Sequence, residues 1–296
     1  MTRILLIGSQ GQLGQELQMT LPALGDVVAV GRSQLDLTDL PQLRSLIAET
    51  APHIVVNAAA YTAVDKAESE VDLAKAINAI APTVMAEEVQ KTGACLVHFS
   101  TDYVFDGRKN TPYLEDDSPN PCGAYAESKL LGEDGIRQTC DRHFIIRTAW
   151  VYGSRGKGNF VKTMLRLGGE REELRVVTDQ VGSPTWTKDI ADATTQLLTH
   201  WSQKQAPAYG VYHFTNSGVA SWYDFAIAIF EEARQLHQML KVERVLPITT
   251  AEYPTPARRP AYSVLSGKKI AAVIGQPAPH WRQSLRTMLN EFVQAD

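Results

Sequence analysis

The sequence predicts an α/β protein built on a doubly wound parallel sheet, with helices on both faces. Short apolar segments alternate with segments of helical periodicity through the first half of the chain. Each apolar segment is a nearly unbroken run, as expected of strands that are buried on both faces. The second half is less regular and predicts a smaller lobe packed on this sheet.

The elements of the first half follow in order from these patterns. The predicted strands are 3–7, 27–30, 54–57, 95–100 and 144–147, and the predicted helices are 12–20, 40–50, 71–91 and 125–139. Pro82 falls inside the third helix. Because proline has no N–H to donate, that helix is either kinked or divided in two.

The second half is punctuated by glycine and proline. Helices are predicted at 159–167, 188–202, 222–236 and 281–292, and strands at 174–177, 211–214 and 242–246. No repeat or flexible linker separates independent domains. We therefore predict a sheet domain of residues 1–150 with about 187–216, and a smaller C-terminal α/β lobe of residues 151–186 and 217–296. The substrate is expected in the cleft between them.

Composition excludes several classes of protein. The 296 residues include 44% hydrophobic residues, and 29 Lys and Arg against 33 Asp and Glu give a net charge of −4. No basic run predicts a nucleic-acid partner, and no apolar run is long enough to span a membrane. The N-terminus has no signal-peptide pattern, and three cysteines without ligand-like spacing favour reduced thiols. We expect a soluble cytoplasmic protein without a protein-bound metal.

A glycine-rich turn follows the first strand and opens the first helix: Gly8-Ser9-Gln10-Gly11-Gln12-Leu13-Gly14. Glycines at this spacing permit a tight turn and a close approach of the backbone to a pyrophosphate. The N–H groups at the start of the helix then favour the phosphate charge. Strand, turn and helix together predict a Rossmann-type dinucleotide-binding domain.

Residues after the second and third strands indicate which cofactor binds and what would border it. No acid ends the second strand, where a site selective for NAD commonly has one, and Arg32 follows instead. Arg32 is either a partner for the 2′-phosphate of NADP(H) or a solvated surface side chain. Asp36 and Leu37 either border the adenine or form a turn. The small residues Ala58, Ala59 and Ala60 either leave room for the cofactor or pack a helix closely on the sheet.

Tyr125 and Lys129 form a Tyr-x-x-x-Lys segment after the fourth strand. Residues four apart share one helix face, so the phenol and the ammonium are expected in the same cleft. A neighbouring ammonium lowers the pKa of a phenol and makes it a usable proton donor to a carbonyl that receives a hydride. Ser100 or Thr101, at the end of the fourth strand, is expected to bind the same oxygen; the alternative is a turn capped by Asp102.

The chain resembles the extended short-chain dehydrogenases/reductases over nearly its whole length, and among them the reductases of nucleotide-linked 4-keto sugars. The segments that carry the resemblance are residues 55–68, 100–107, 147–152, 159–164, 179–185 and 254–260. The resemblance implies NADPH-dependent reduction of the C4 keto group of dTDP-4-dehydro-β-L-rhamnose to dTDP-L-rhamnose, for surface polysaccharide. NADH is the alternative cofactor.

The resemblance also implies roles for individual residues. Tyr125 is the general acid, Lys129 lowers its pKa and holds the nicotinamide ribose, and Thr101 orients the substrate oxygen. The remaining positions implied at the cofactor or sugar-nucleotide site are Tyr61, Val64, Asp102 and Trp150. Arg258 and Arg259 are either partners of the substrate diphosphate or a solvated basic turn.

Two positions depart from the family pattern. Some members form a dimer around magnesium, held by acids of the first helix and of the helix after the Pro-Thr motif. Glu16 matches the first acid, but Lys188 stands at the second, and a cation there disfavours magnesium and favours a monomer over a homodimer. Tyr262 stands where the family has asparagine.

Two alternative functions remain. One is a nucleotide-sugar epimerase or dehydratase of the same superfamily, although a dehydratase would have an Asp-Glu pair after the strand-end hydroxyl and this chain has Asp102-Tyr103. The other is a non-catalytic regulatory subunit resembling the β subunit of methionine adenosyltransferase. The intact Tyr125, Lys129 and Thr101 favour an enzyme.

Overall fold

The computed structural model describes residues 2–203 and 207–295, so the outer limits of the predicted domains at residues 1 and 296 lie outside it. The strands in chain order are β1 (Arg3–Ile7), β2 (Asp26–Val30), β3 (Ile54–Asn57), β4 (Cys95–Thr101), β5 (His143–Thr148), β6 (Val151–Tyr152), β7 (Glu173–Val177), β8 (Val181–Gly182), β9 (Thr185–Trp186), β10 (Gly210–His213), β11 (Ala220–Ser221) and β12 (Arg244–Ile248).

The helices connect these strands. In chain order they are α1 (Gln12–Thr20), α2 (Leu40–Thr50), α3 (Val64–Ala67), α4 (Val71–Lys75), α5 (Ala81–Thr92), α6 (Ala124–Thr139), α7 (Phe160–Glu170), α8 (Thr187–Ser202), α9 (Trp222–Gln235), α10 (Lys268–Ile274) and α11 (Trp281–Ala295). Within the described ranges no helix is long and apolar enough to cross a membrane.

A six-stranded sheet in the order β10-β5-β4-β3-β1-β2 forms the centre of the fold. Its neighbouring strands all pair in parallel, which confirms the predicted fold class. After β2 the chain returns past β1 to form β3. The carboxyl ends of β1 and β3 therefore flank a topological switch point, where ligands bind in open α/β sheets.

Helices cover both faces of the sheet. On one face, Leu17 of α1, Ile190 and Leu197 of α8 and Ile270 of α10 pack in a common core. On the other face, α2, α5 and α6 contribute Leu43, Val89 and Ile136 to a second core. Burial of both faces explains the unbroken apolar runs of the strands.

A third core belongs to the smaller lobe. Tyr152, Phe225, Phe230, Trp281 and Leu285 are fully or almost fully buried there, among α7, α9 and α11. The parallel pair β7 and β12 lies beside these helices. The predicted division into two parts stays a prediction, and Ile270 of α10 packs with the sheet although it falls in the predicted lobe.

The predicted helix 71–91 is divided into two α-helices, and Pro82 lies in the first turn of the second. Residues Ala76–Ile80 form one wide π-helical turn that joins α4 to α5 without a break. Such turns arise where the regular ladder of helix hydrogen bonds is interrupted and are frequent at functional sites. Because Pro82 has no N–H, it cannot donate a hydrogen bond to the carbonyl of Asn78, four residues earlier. That carbonyl faces Gly132 of α6, and a Cβ on Gly132 would lie 2.1 Å from the carbonyl oxygen.

Candidate active site

One large cavity of about 630 Å³ opens at the carboxyl end of the sheet. Most of the predicted cofactor and substrate residues line it: Gly8, Gln10, Gly11, Gln12, Leu13, Arg32, Asp36, Leu37, Ala58, Ala59, Ala60, Val64, Thr101, Asp102, Tyr125, Lys129 and Trp150. The volume is within the range of small-molecule sites, which is about 300–1,000 Å³.

The glycine-rich turn forms one end of the cavity. Gly8 has a φ of +87°, and a Cβ on it would lie 2.6 Å from the backbone nitrogen of Ala59. A Cβ on Gly14 would lie 2.1 Å from the carbonyl oxygen of Gly8, so Gly14 serves close packing and does not line the cavity. Helix α1 begins at Gln12 without a side-chain cap, which leaves its first N–H groups available to an anion.

Arg32 and Asp36 lie at the same end of the cavity, both exposed. Among the described residues, no carboxylate oxygen is within 4.0 Å of the Arg32 guanidinium. Asp36 accepts hydrogen bonds from the N–H of Thr38 at 2.9 Å and from its hydroxyl at 2.8 Å. These bonds hold the pKa of Asp36 below its usual value. An unpaired guanidinium in this place fits a phosphate.

Helix α6 carries the Tyr-x-x-x-Lys pair, and its N-cap is Gly123, with a φ of +129°. A Cβ on Gly123 would lie 2.7 Å from Glu68 Oε1, which accepts the N–H of Ala124 at 3.0 Å. The carboxylate therefore satisfies one free N–H and complements the positive end of the helix. Glu68 belongs to one of the segments that carry the family resemblance.

Asn78 fixes the position of α6 from the side. Its Nδ2 donates to Ser128 Oγ at 3.0 Å and to the carbonyl of Tyr61 at 3.0 Å, and its Oδ1 accepts the N–H of Tyr61 at 2.9 Å. Ser128 stands between Tyr125 and Lys129 in the sequence. Tyr61 itself does not line the cavity, and its hydroxyl is bonded to Glu70.

Burial dominates the pKa of Tyr125. Burial raises this pKa to about 12, the Thr101 hydroxyl lowers it only partly, and the Asp102 carboxyl raises it further. Lys129 Nζ donates to the carbonyl of Phe99 at 2.7 Å and lies 3.0 Å from His98 Nε2, and its effect on the phenol stays a prediction. With its pKa raised to about 12, the phenol is protonated at neutral pH.

The end of β4 places polar groups next to this phenol. Thr101 Oγ1 donates to Asp102 Oδ1 at 3.1 Å and accepts the N–H of Tyr103 at 3.2 Å. Burial raises the pKa of Asp102 to about 7, although bonds from Ser263 and Thr101 lower it. Ser263 lies in the segment where Tyr262 replaces the family's asparagine.

Unsatisfied polar atoms mark the same part of the cavity. Ser100 Oγ, Asp102 Oδ2 and Thr148 Oγ1 are buried in lining residues and have no hydrogen-bond partner among the described residues. Buried polar groups are normally bonded, so this cluster fits a polar ligand. Together with the open helix end and the glycine turn, it fits a dinucleotide and a polar second substrate.

Two stacked tryptophans form part of the cavity lining. Trp150 and Trp222 both line the cavity, and their rings stack. Trp150 was predicted, whereas Trp222, Thr62, Phe99 and Thr148 were missed. Trp222 follows β11 in the smaller lobe, so no spacing within a local motif could have indicated it.

Arg258 and Arg259 do not line the cavity. Arg259 is bound to Asp65, with Nη2 at 2.8 Å from Oδ2, and Arg258 is exposed. Their role as diphosphate partners stays a prediction.

The residues around Glu16 do not fit a metal ion. Arg155 Nε lies 3.5 Å from Glu16 Oε1, and Lys188 Nζ lies 2.6 Å from Glu291 Oε1. Burial raises the pKa of Glu16, which disfavours the charged ligand that a hard cation requires. No cluster of three or more metal-ligating acids, histidines or cysteines occurs in residues 2–203 and 207–295.

Comparison with known proteins agrees with this geometry. Residues 1–294 match the family model described as RmlD substrate binding domain. The chain is 46% identical to dTDP-4-dehydrorhamnose reductase of Burkholderia thailandensis, over 98% of this chain and 99% of that protein. It is 43% identical to the Escherichia coli K12 enzyme of the same name, over 98% and 97%.

A solved structure adds a cofactor to the comparison. The dTDP-4-dehydrorhamnose reductase of Bacillus anthracis, in complex with NADP, superposes with a TM-score of 0.89 at 41% identity, covering 98% of this chain and 100% of that one. Family model, sequence and fold thus agree over nearly the whole length. The chain belongs to the RmlD family, that of the dTDP-4-dehydrorhamnose reductases.

Proposed function

We propose that this protein reduces the C4 keto group of dTDP-4-dehydro-β-L-rhamnose with NADPH and releases dTDP-L-rhamnose. The observation that carries the proposal is a single cavity with a phosphate-binding turn at one end and Tyr125, Thr101 and Lys129 at the other. The identity of 46% with a reductase of that name supports the substrate. The product would serve the synthesis of surface polysaccharide.

The glycine turn and the start of α1 would bind the pyrophosphate, and Arg32 the 2′-phosphate. When bound, NADPH supplies the hydride that adds to the C4 carbon of the sugar. Lys129 is proposed to hold the nicotinamide ribose. Ala58, Ala59 and Ala60 leave the backbone at the switch point accessible to the cofactor, since their side chains are small.

The chain's own residues would supply the proton. Tyr125 is protonated at neutral pH because its pKa is raised to about 12, so its hydroxyl is in the correct state to donate to the C4 oxygen. Thr101 would orient that oxygen through its hydroxyl. Val64, Asp102 and Trp150 are proposed to contact the sugar nucleotide, with Trp222 added by the structure.

The protein is proposed to act as a cytoplasmic monomer. Lys188 is paired with Glu291 in the place where a bridging metal would need an acid. Cys95, Cys122 and Cys140 are all free thiols, which fits a reducing compartment. Sedimentation equilibrium tests the monomer: a mass of twice 32.6 kDa would contradict it.

The decisive assay incubates the purified protein with NADPH and dTDP-4-dehydro-β-L-rhamnose. Loss of NADPH absorbance in equimolar amount with the formation of dTDP-L-rhamnose, identified by NMR, is expected. An epimerase or dehydratase would convert the sugar without net oxidation of NADPH. A regulatory subunit would bind nucleotide without turnover, and either result would contradict the proposal.

A further inference from the structure

The hydroxyl of Thr101 lies between three polar groups at the end of β4. Its Oγ1 accepts the N–H of Tyr103 at 3.2 Å and lies 3.1 Å from Asp102 Oδ1. Its bond to the Tyr125 phenol lowers the pKa of that phenol. A hydroxyl has one proton and two lone pairs, so it donates only one hydrogen bond and accepts two. The use of that single proton decides what Thr101 offers to a substrate.

An ionised Asp102 takes the hydrogen bond that Thr101 can donate. A carboxylate only accepts hydrogen bonds, so Thr101 must donate to Oδ1. One lone pair of Thr101 Oγ1 is already bonded to the N–H of Tyr103. The other lone pair accepts from the Tyr125 hydroxyl. In this state Thr101 cannot donate to a carbonyl oxygen, and it competes with the substrate for the proton of Tyr125.

A protonated Asp102 reverses the direction of these bonds. Its carboxyl group donates to the second lone pair of Thr101 Oγ1, and the proton of Thr101 becomes free. Both lone pairs of Oγ1 are then occupied, so the Tyr125 hydroxyl has no acceptor in Thr101. Thr101 and Tyr125 both line the cavity, and both hydroxyls then donate to an oxygen placed there. Two donors at one oxygen stabilise the charge that develops when a carbonyl receives a hydride.

The surroundings of Asp102 favour the neutral acid. The residue is 2% exposed, and within the described part of the chain no Lys, Arg or His nitrogen lies within 4.0 Å of its carboxyl oxygens. A buried carboxylate without a cation is costly. Burial accordingly raises the pKa of Asp102 to about 7, although the hydroxyls of Ser263 and Thr101 lower it.

The titratable groups next to Asp102 are phenols, which are uncharged at neutral pH. Tyr103 lies on the same turn and Tyr125 on α6, and burial and the charge of Asp102 raise the pKa of both. Arg259 lowers the pKa of Tyr103 and Asp65 raises it, so this ion pair adds little net charge. Both proposed ligands are anionic, and their binding raises the pKa of Asp102 further.

We propose that Asp102 is a positioning residue that acts as a neutral acid: its carboxyl group donates to Thr101 and thereby directs the hydroxyls of Thr101 and Tyr125 at the C4 oxygen of the sugar. Asp102 itself transfers no proton to the substrate. The role differs from a contact with the sugar nucleotide, because it acts through Thr101. It deepens the proposed function and rests on it.

The protonation state of Asp102 is measured by ¹³C NMR of its Cγ in the full chain, without cofactor or substrate. The signal is assigned by its loss in Asp102→Asn. A titration midpoint near the pKa of about 7 is expected. A carboxyl group that ionises near the ordinary value of 3.8 would overturn the role of Asp102 even if the protein reduces the sugar as proposed.

Two variants separate a hydrogen-bond donor from a titratable group at this position. In Asp102→Asn the amide NH₂ is able to donate to Thr101 at every pH, whereas Asp102→Leu has a similar volume and no donor. The wild-type kcat/KM, which reports groups of the free enzyme, should fall as the pH rises through about 7. This fall should be absent in Asp102→Asn, whereas a second fall from Lys129, whose pKa is about 8, should remain. Asp116→Asn, at an exposed acid, should keep the wild-type profile.

The two variants also differ in turnover. On the acid side of the profile, kcat of Asp102→Asn should exceed that of Asp102→Leu about tenfold, the effect of one hydrogen bond. Binding of NADPH, measured by fluorescence titration in each variant, shows that the site is folded. A fall near pH 7 that persists in Asp102→Asn, or equal kcat values in the two variants, would refute the assignment.

Discussion

Trp150 and Trp222 stack face to face, with ring centroids 3.6 Å apart and ring planes inclined by 3°. Trp150 holds this position with a φ of +48°, a left-handed conformation that a bulky side chain rarely adopts. Gly182 makes the stack possible, because a Cβ there would lie 2.6 Å from the indole of Trp150. Strained residues of this kind persist where a site requires them.

The stack predicts a contribution to sugar binding. Replacing Trp222 by Ala removes the surface on which Trp150 rests, and the KM for the sugar nucleotide should rise about tenfold. The Kd of NADPH, measured by fluorescence titration, should not change. Trp222→Phe retains an aromatic face and should be affected much less. Equal KM values for Trp222→Ala and wild type would remove Trp222 from the site.

We expect Arg32 to give the enzyme a preference for NADPH over NADH. Arg32→Ala should lower kcat/KM for NADPH about tenfold, because a charge-assisted contact with the 2′-phosphate is lost. The value for NADH should stay the same, since NADH has no such phosphate. Arg108→Ala, which changes an exposed arginine outside the cavity, serves as control. Parallel losses with both cofactors would contradict the assignment.

We expect the hydrogen bonds of Asn78 to stabilise the folded protein. Asn78→Leu keeps the approximate volume but leaves the N–H and carbonyl of Tyr61 without partners, and should lower the free energy of unfolding by about 3 kcal/mol. Urea denaturation measures this difference. Gln90→Leu, at an exposed amide bonded to Asp141, should change stability by only about 0.5 kcal/mol. An Asn78→Leu protein as stable as wild type would show that these bonds contribute little.

The raised pKa of Asp102 predicts how the free energy of unfolding depends on pH. Its pKa is about 7 in the folded protein against the ordinary 3.8, so the folded state binds the proton more tightly. The corresponding stability is present at low pH and is lost as the pH rises through about 7. Relative to wild type, Asp102→Asn should gain about 3 kcal/mol in free energy of unfolding between pH ~5 and pH ~8.

Urea denaturation at the two pH values measures this gain. Asp116→Asn, at an exposed acid, is the control and should show no such pH-dependent difference. A constant difference between Asp102→Asn and wild type at both pH values would mean that Asp102 is ionised normally.

The sheet could be predicted from the sequence because its signals are local. Predicted strands 3–7 and 54–57 have the observed bounds, since each apolar run ends at a small residue at the switch point. The strand predicted at 242–246 is Arg244–Ile248, and helix Lys268–Ile274 was not predicted. That strand includes Pro247 and depends on pairing with β7, which is a tertiary contact.

In the candidate site, too, only features that are local in the sequence could be predicted. The glycine turn and the Tyr125–Lys129 pair each lie within a few residues, so their spacing is readable. Arg259 was predicted as a diphosphate partner, but its bond to Asp65 joins positions 194 residues apart. The contact of His98 with Lys129 likewise depends on how β4 meets α6. Spacing along the chain carries no information about such pairs.

The role of Tyr125 as proton donor is the central claim, and turnover of Tyr125→Phe tests it most directly. With NADPH and dTDP-4-dehydro-β-L-rhamnose in excess, loss of the phenol should lower kcat by about 10²- to 10⁴-fold, the usual contribution of a general acid. The Kd of NADPH should remain that of the wild type. A Tyr125→Phe protein that turns over at the wild-type rate would contradict the account.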